Sequence, residues 1–148
     1  MSKFKTQAPI VHIPSYKQWG IPMSTMLSKL KALNLSAPMH LLDSQYYYTD
    51  SAGWAIILCD LVFKSSLYKP DRFDCDNYAL KAMSLCAERF GLNTMGMVIG
   101  NIPQGRHAFN IIYLGDTFLF WEPNEGFSWS GQPFPLGENG YTADLVLM

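Results

Sequence analysis

The chain lacks almost everything that would mark it for a polyanion, a bilayer or an oxidising compartment. Its 11 Lys and Arg stand against 12 Asp and Glu, a formal charge of −1. The lysines are scattered, so no basic patch points to nucleic acid or an anionic membrane. The longest apolar stretch, Ala52 to Phe63, is about a dozen residues with Asp60 inside it, too short to span a bilayer. The segment from Met1 to Pro9 has neither the apolar core nor the cleavage site of a secretory signal, and the expectation is a soluble, cytoplasmic protein. Three cysteines without a Cys-x-x-Cys pair argue against a disulfide scaffold and give zinc no support. There is no internal repeat, low-complexity segment or Gly/Ser linker, and nothing speaks for a particular oligomeric state.

What is present is the composition of a folded domain: 148 residues, 49% hydrophobic and 14% aromatic. A chain of this length buries about two-thirds of its unfolded surface in one core. A single domain over residues 1–148 is therefore expected, with residues 1–22, rich in Pro and aromatics, as an extended arm.

The first half reads weakly. Residues 24–33 carry apolar side chains at 26, 27, 30 and 33, a short helix with Ser24 as its N-cap. Met39 to Tyr48 is extended or irregular. A buried helix from about Ala52 to Lys64, capped by Thr49, Asp50 or Ser51, competes there with a strand. The second half is clearer. Asp74 is a good N-cap for an amphipathic helix running from Cys75 to Phe90, and Gly91 stops it. Met95 to Ile99 is a strand and Gly100 to Arg106 a polar loop. His107 to Leu114 and Thr117 to Glu122 form a hairpin about Gly115-Asp116. The Gly/Pro-rich tail from Gly126 to Gly140 is mostly loop, and Tyr141 to Met148 adds a closing strand. The pattern is α+β, helices packed on an antiparallel sheet.

Cys75 falls in the first turn of its helix, where unpaired N–H groups and the helix dipole favour a thiolate and can supply part of an oxyanion hole. A two-residue turn at Gly115-Asp116 pairs residues whose numbers sum to about 231. His107 then faces Asn124, with Glu122 one step along the same face, beside Phe109, Ile111, Tyr113, Phe118 and Phe120. That face is the expected seat of the Cys75 helix. A helix-start thiol, a histidine on a strand and an orienting group on the next strand are the parts of a thiol acyl-transfer site. Cys59 and Cys86 read as core, and His12 and His40 have no evident partners. Trp121 and Trp129 are placed to shield the imidazole or to pack. Gln45 is a polar residue that nothing places as a second oxyanion donor.

Asp74-Cys75-Asp76-Asn77-Tyr78-Ala79 at a helix start resembles the signature of the bacterial transglutaminase-like cysteine proteinases. It is similar, too, to the papain-like C-terminal domain of certain fungal agglutinins. His107-Ala108-Phe109-Asn110 and Phe120-Trp121-Glu122-Pro123-Asn124 resemble the strands that follow in those families, a likeness covering about residues 70–126. The resemblance implies a papain/transglutaminase-like fold with Cys75 as nucleophile, His107 as general base and Glu122 as its orienter. Asn124 stays open as the alternative, since strict register favours it. It also implies calcium held by Asp74, Asp76 and Asn77, with Asn77 standing where the family has an acid. A helix cap is the competing reading of these residues.

The expected function is a cysteine peptidase or isopeptidase that cleaves an amide in a protein or peptide substrate through a Cys75 acyl-enzyme. Two alternatives stand beside it. One is a catalytically silent binding or assembly module of this fold, and the other is a cell-wall amidohydrolase, suggested by Phe73-Asp74-Cys75.

Overall fold

The computed structural model describes residues 15–148; His12 and the first fourteen residues of the expected arm lie outside the described residues. Short elements fill the first half. β1 (Trp19–Pro22) pairs antiparallel with β3 (Gln45–Tyr48), and α1 (Met23–Lys31) and β2 (Met39–His40) lie between them in the chain. Then come α2 (Ser51–Ile57), two short 3-10 turns, and α3 (Cys75–Phe90). The remaining strands are β4 (Met95–Ile102), β5 (Gly105–Tyr113), β6 (Phe118–Trp121), β7 (Phe134–Pro135) and β8 (Thr142–Leu147). They form with β2 a six-stranded sheet in the order β2-β8-β4-β5-β6-β7. All its pairings are antiparallel except β2 with β8. The architecture is α+β, as the pattern implies. Among the described residues no helix is long and apolar enough to cross a membrane.

Local signals set α3. Asp74 and Asn77 form a capping box at its start, and Gly91 closes it in the left-handed region at φ 68°. The β5–β6 register is the expected one, Tyr113 opposite Phe118 and Asn110 opposite Trp121. Four expectations need correction. Gly100 to Arg106 is no loop, because β4 runs on to Ile102 and β5 begins at Gly105, around a two-residue turn. Ser24 does not cap α1, which begins at Met23 after Pro22; its carbonyl instead accepts from the Ser28 hydroxyl. The α-helix after Asp50 ends at Ile57 and passes into a 3-10 turn over Leu58–Leu61, short of the expected Lys64. The Phe63 N–H donates to the Pro123 carbonyl at 2.8 Å, and the Glu125 N–H donates to the Phe63 carbonyl at 3.0 Å.

The fourth correction concerns the seat of α3. The face bearing Phe109, Ile111, Tyr113, Phe118 and Phe120 packs against Met26 and Leu30 of α1, with Tyr46, Phe134 and Tyr141. α3 lies on the other face, where Ala79 meets Ala108 and Met97, and Tyr78, Ala82 and Cys86 share a cluster with Ile112 and Trp121. Small side chains allow this close approach, whereas the aromatic face fills the wider gap to α1. The buried Asn110 amide joins the layers, donating to the carbonyls of Ala79 and Gly96, both at 3.0 Å. Fixing α3 against β5 in this way brings the helix start level with the first residues of that strand.

Candidate functional site

Cys75 opens α3 half-buried and lines one cleft together with His107. The neighbouring His107 is the main cause that lowers the thiol's pKa; burial and the Asp74 charge oppose it. His107 is 5% exposed, and its Nε2 lies 2.7 Å from Glu122 Oε2, which leaves the other ring nitrogen for the sulfur. Burial works against an imidazolium here. Hydrogen bonds and charge from Cys75 and Glu122 outweigh it and raise the His107 pKa to about 9. Both shifts act in the direction that favours a thiolate beside an imidazolium. An ion-paired thiolate of this kind is a strong nucleophile.

Glu122 is fully buried and its carboxylate is hydrogen-bonded at both oxygens. Oε2 takes His107 and the Tyr141 hydroxyl at 3.2 Å, and Oε1 accepts the Asn124 N–H at 3.1 Å. A buried carboxylate held this way is fixed in orientation, and leaving it with fewer partners costs several kcal/mol. Asn124 thus supports Glu122 through its backbone, while its side-chain oxygen accepts the Gly126 N–H at 2.9 Å. The β5–β6 ladder ends at Asn110 and Trp121. Pro123 then turns the chain toward Phe63, where Asn124 forms an isolated bridge instead of standing opposite His107.

A cleft of about 430 Å³ opens over the sulfur. Tyr68, Ile102 and Phe127 supply apolar wall, and Gln104, Arg106 and Asn124 supply polar groups. Asp144 holds the Arg106 guanidinium at 2.5 Å and accepts from Asn101 at 3.1 Å, so the arginine's direction is set although its side chain is 61% exposed. The aromatic shield over the imidazole is Phe127, with ring centroids 4.5 Å apart. Neither expected tryptophan takes that place: Trp121 is buried with the α3 cluster, and Trp129 is half exposed. Gln45 pairs with Pro22 and does not line the cleft.

Asp74, Cys75 and Asp76 lie with one ligand atom each within 4.8 Å of the others. Calcium seeks about six to eight oxygens, and the Asp74 and Asp76 carboxylates are the acidic groups here that could contribute to such a set. Asn77 Oδ1 already accepts the Asp74 N–H at 3.1 Å, and the Asp74 carboxylate accepts from the backbone of Asp71 and Asn77. Asp76 is hydrogen-bonded to Asp74; that contact lowers the Asp74 pKa and raises the Asp76 pKa. Asp74 serves as the helix cap as well. Other residues read differently in three dimensions. Cys86 is buried as expected, Cys59 is exposed and not core, and His40 is exposed on β2. Tyr141 and Phe127 went unread because they reach the site from distant loops, with no local pattern to mark them.

No family model and no curated protein matches the chain. Solved structures share its fold. One is described as the "PSL1a-E64 complex", with a TM-score of 0.63 and 22% identity over 87% of this chain and 51% of that one. Another is a Polyporus squamosus lectin bound to the human-type influenza-binding epitope Neu5Aca2-6Galb1-4GlcNAc, with a TM-score of 0.57 and 20% identity over 87% of this chain and 49% of that one. The chain spans about half the length of these structures. They correct the expectation of a cysteine peptidase: the fold occurs in a lectin with a bound glycan, so it does not bring hydrolase activity with it. The Cys75, His107 and Glu122 cluster stands as a geometry without an activity attached.

Proposed function

We propose that this chain is a binding module of papain-like topology, whose ligand cleft has an ion-paired thiolate in its wall. The observation that carries the reading is that Cys75 and the Glu122-held His107 together line the 430 Å³ cleft. A cleft of this size takes a small ligand or a few residues of an extended chain. Its mixed lining suits a peptide-like ligand: Ile102 and Phe127 offer apolar contact, and Gln104 and the fixed Arg106 offer donors to carbonyl or carboxylate groups. The glycan of the lectin neighbour is the second reading, favoured only by the shared fold.

Iodoacetamide probes such a thiolate directly: the sulfur–carbon bond forms as the carbon–iodine bond breaks and iodide leaves. Intact-mass spectrometry of the full chain treated with this compound at pH 6 tests the proposal. One equivalent should add at Cys75, and His107→Ala, checked for folding by circular dichroism, should abolish the addition on the same timescale. Absence of an adduct would overturn the thiolate cleft. Repeated turnover of peptide amides by the untreated protein would overturn the reading as a binding module.

A further inference from the structure

A second cavity, about 490 Å³, opens where β1 and β3, the start of α2 and the β5–β6 turn meet. It shares no lining residue with the Cys75 cleft. Trp19 and Tyr48 are cross-strand partners, and their rings stack with centroids 5.7 Å apart and planes at 26°. Tyr48 is held from behind. Tyr113 stands edge-on to it at 5.0 Å, and the turn backbone lies so close that a Cβ on Gly115 would come within 2.8 Å of the ring. Gly115 also has φ 102°, a conformation that glycine adopts without strain. Trp19 nevertheless stays 40% exposed. A braced aromatic pair with one large ring left in solvent has the form of a contact surface.

The polar groups round this platform are the carboxylates of Asp50 and Asp116 and the hydroxyls of Ser51 and Thr117. Asp50 Oδ1 caps α2, accepting the Gly53 N–H at 2.9 Å. Among the described residues, no lysine or arginine lines the cavity. We infer that this cavity is a second ligand site, and that it takes a neutral pyranose sugar. The apolar C–H face of a pyranose stacks on an exposed indole while its hydroxyls donate to carboxylates, which is the set of groups assembled here. Two carboxylates without a cation disfavour sialylated or phosphorylated sugars. A quaternary ammonium group calls for several ring faces turned inward, whereas Trp19 and Tyr48 stack on each other and present one.

The test is an NMR titration of the 15N-labelled full chain with methyl glucopyranoside, methyl galactopyranoside and N-acetylglucosamine, each run beside choline and free sialic acid. At least one neutral sugar should shift the Trp19 indole N–H and the Gly115 amide, saturating in the millimolar range. Trp19→Ala should weaken that binding by about tenfold or more, and Asp116→Asn, on the exposed turn, by about threefold. Iodoacetamide alkylation of Cys75 should be unchanged in both variants, since the cleft there is built from other residues. No shift with any neutral sugar, or shifts that survive Trp19→Ala, would overturn the inference. So would choline or sialic acid moving these signals when the sugars do not. If Trp19→Ala fails to fold, Asp116→Asn decides, and unaltered affinity in that variant counts against the site.

Discussion

Cys75 and Cys86 sit on one helix, about three turns apart, and their chemistry runs in opposite directions. Cys86 is fully buried among Trp54, Phe90 and Trp121, and burial alone pushes its thiol well above the ordinary range. Cys75 is half-buried in the first turn, beside His107, and its thiol is pulled below that range. Burial acts against ionisation at both positions. The outcome is decided by whether a buried partner can return the charge, and only the N-terminal cysteine has one.

The largest break in this contrast should come from His107→Ala. Removing the imidazole leaves the Cys75 thiol with the helix start alone, and alkylation at pH 6 should fall on the order of 100-fold, toward the thiolate fraction of an ordinary cysteine. Peptide mapping after iodoacetamide treatment measures it. The same variant bears on stability. The folded-state pKa of His107 is about 9, above its ordinary 6.5. Its contribution is therefore complete below the unfolded value and is lost as pH rises through about 9. The stability gap between wild type and His107→Ala in urea should narrow across that interval.

Glu122→Gln keeps the shape but removes the carboxylate facing the imidazolium. The His107 titration should move down, and Cys75 alkylation at neutral pH should fall about tenfold, one pKa unit's worth of differential interaction. Asp74→Ala separates the cap from the thiol. It should cost about 1 kcal/mol of stability in urea unfolding. The thiol should become no less acidic, because the Asp74 charge opposes the thiolate. Tyr141→Phe should have the smallest effect. Its ring keeps the contacts with Phe109 and Phe134 at 4.8 and 5.0 Å, and only the hydroxyl on Glu122 Oε2 is lost. Leaving that oxygen to His107 alone should raise the imidazole titration slightly, which histidine NMR would show, with alkylation changed by less than about threefold.

The parts of this site that the sequence exposes are those that local chemistry determines. The Asp74 cap, the Gly91 stop and the Gly115-Asp116 turn each act within a few residues, and from them follow α3 and the β5–β6 register. Which residue meets His107 did not follow. Strict pairing points to Asn124, but Pro123 cannot extend the ladder as a donor, and its carbonyl is taken by Phe63 from far upstream. The side of the sheet that α3 occupies was likewise hidden. Alternation sorts β5 into two faces without saying that α1 would claim the aromatic one and leave the face of Ala108 and Asn110 to α3. Tyr141 reaches Glu122 because β8 runs between β2 and β4, an insertion settled by strand pairing across the whole chain.

The most direct test of the ion-paired thiolate is the pH dependence of Cys75 alkylation by iodoacetamide, followed by peptide mass spectrometry with Cys59 and Cys86 as internal references. The account predicts fast labelling of Cys75 already at pH 6, where Cys59 is slow, and no labelling of Cys86 while the protein is folded. A single rise in Cys75 labelling at the ordinary thiol pKa, in step with exposed Cys59, would contradict it.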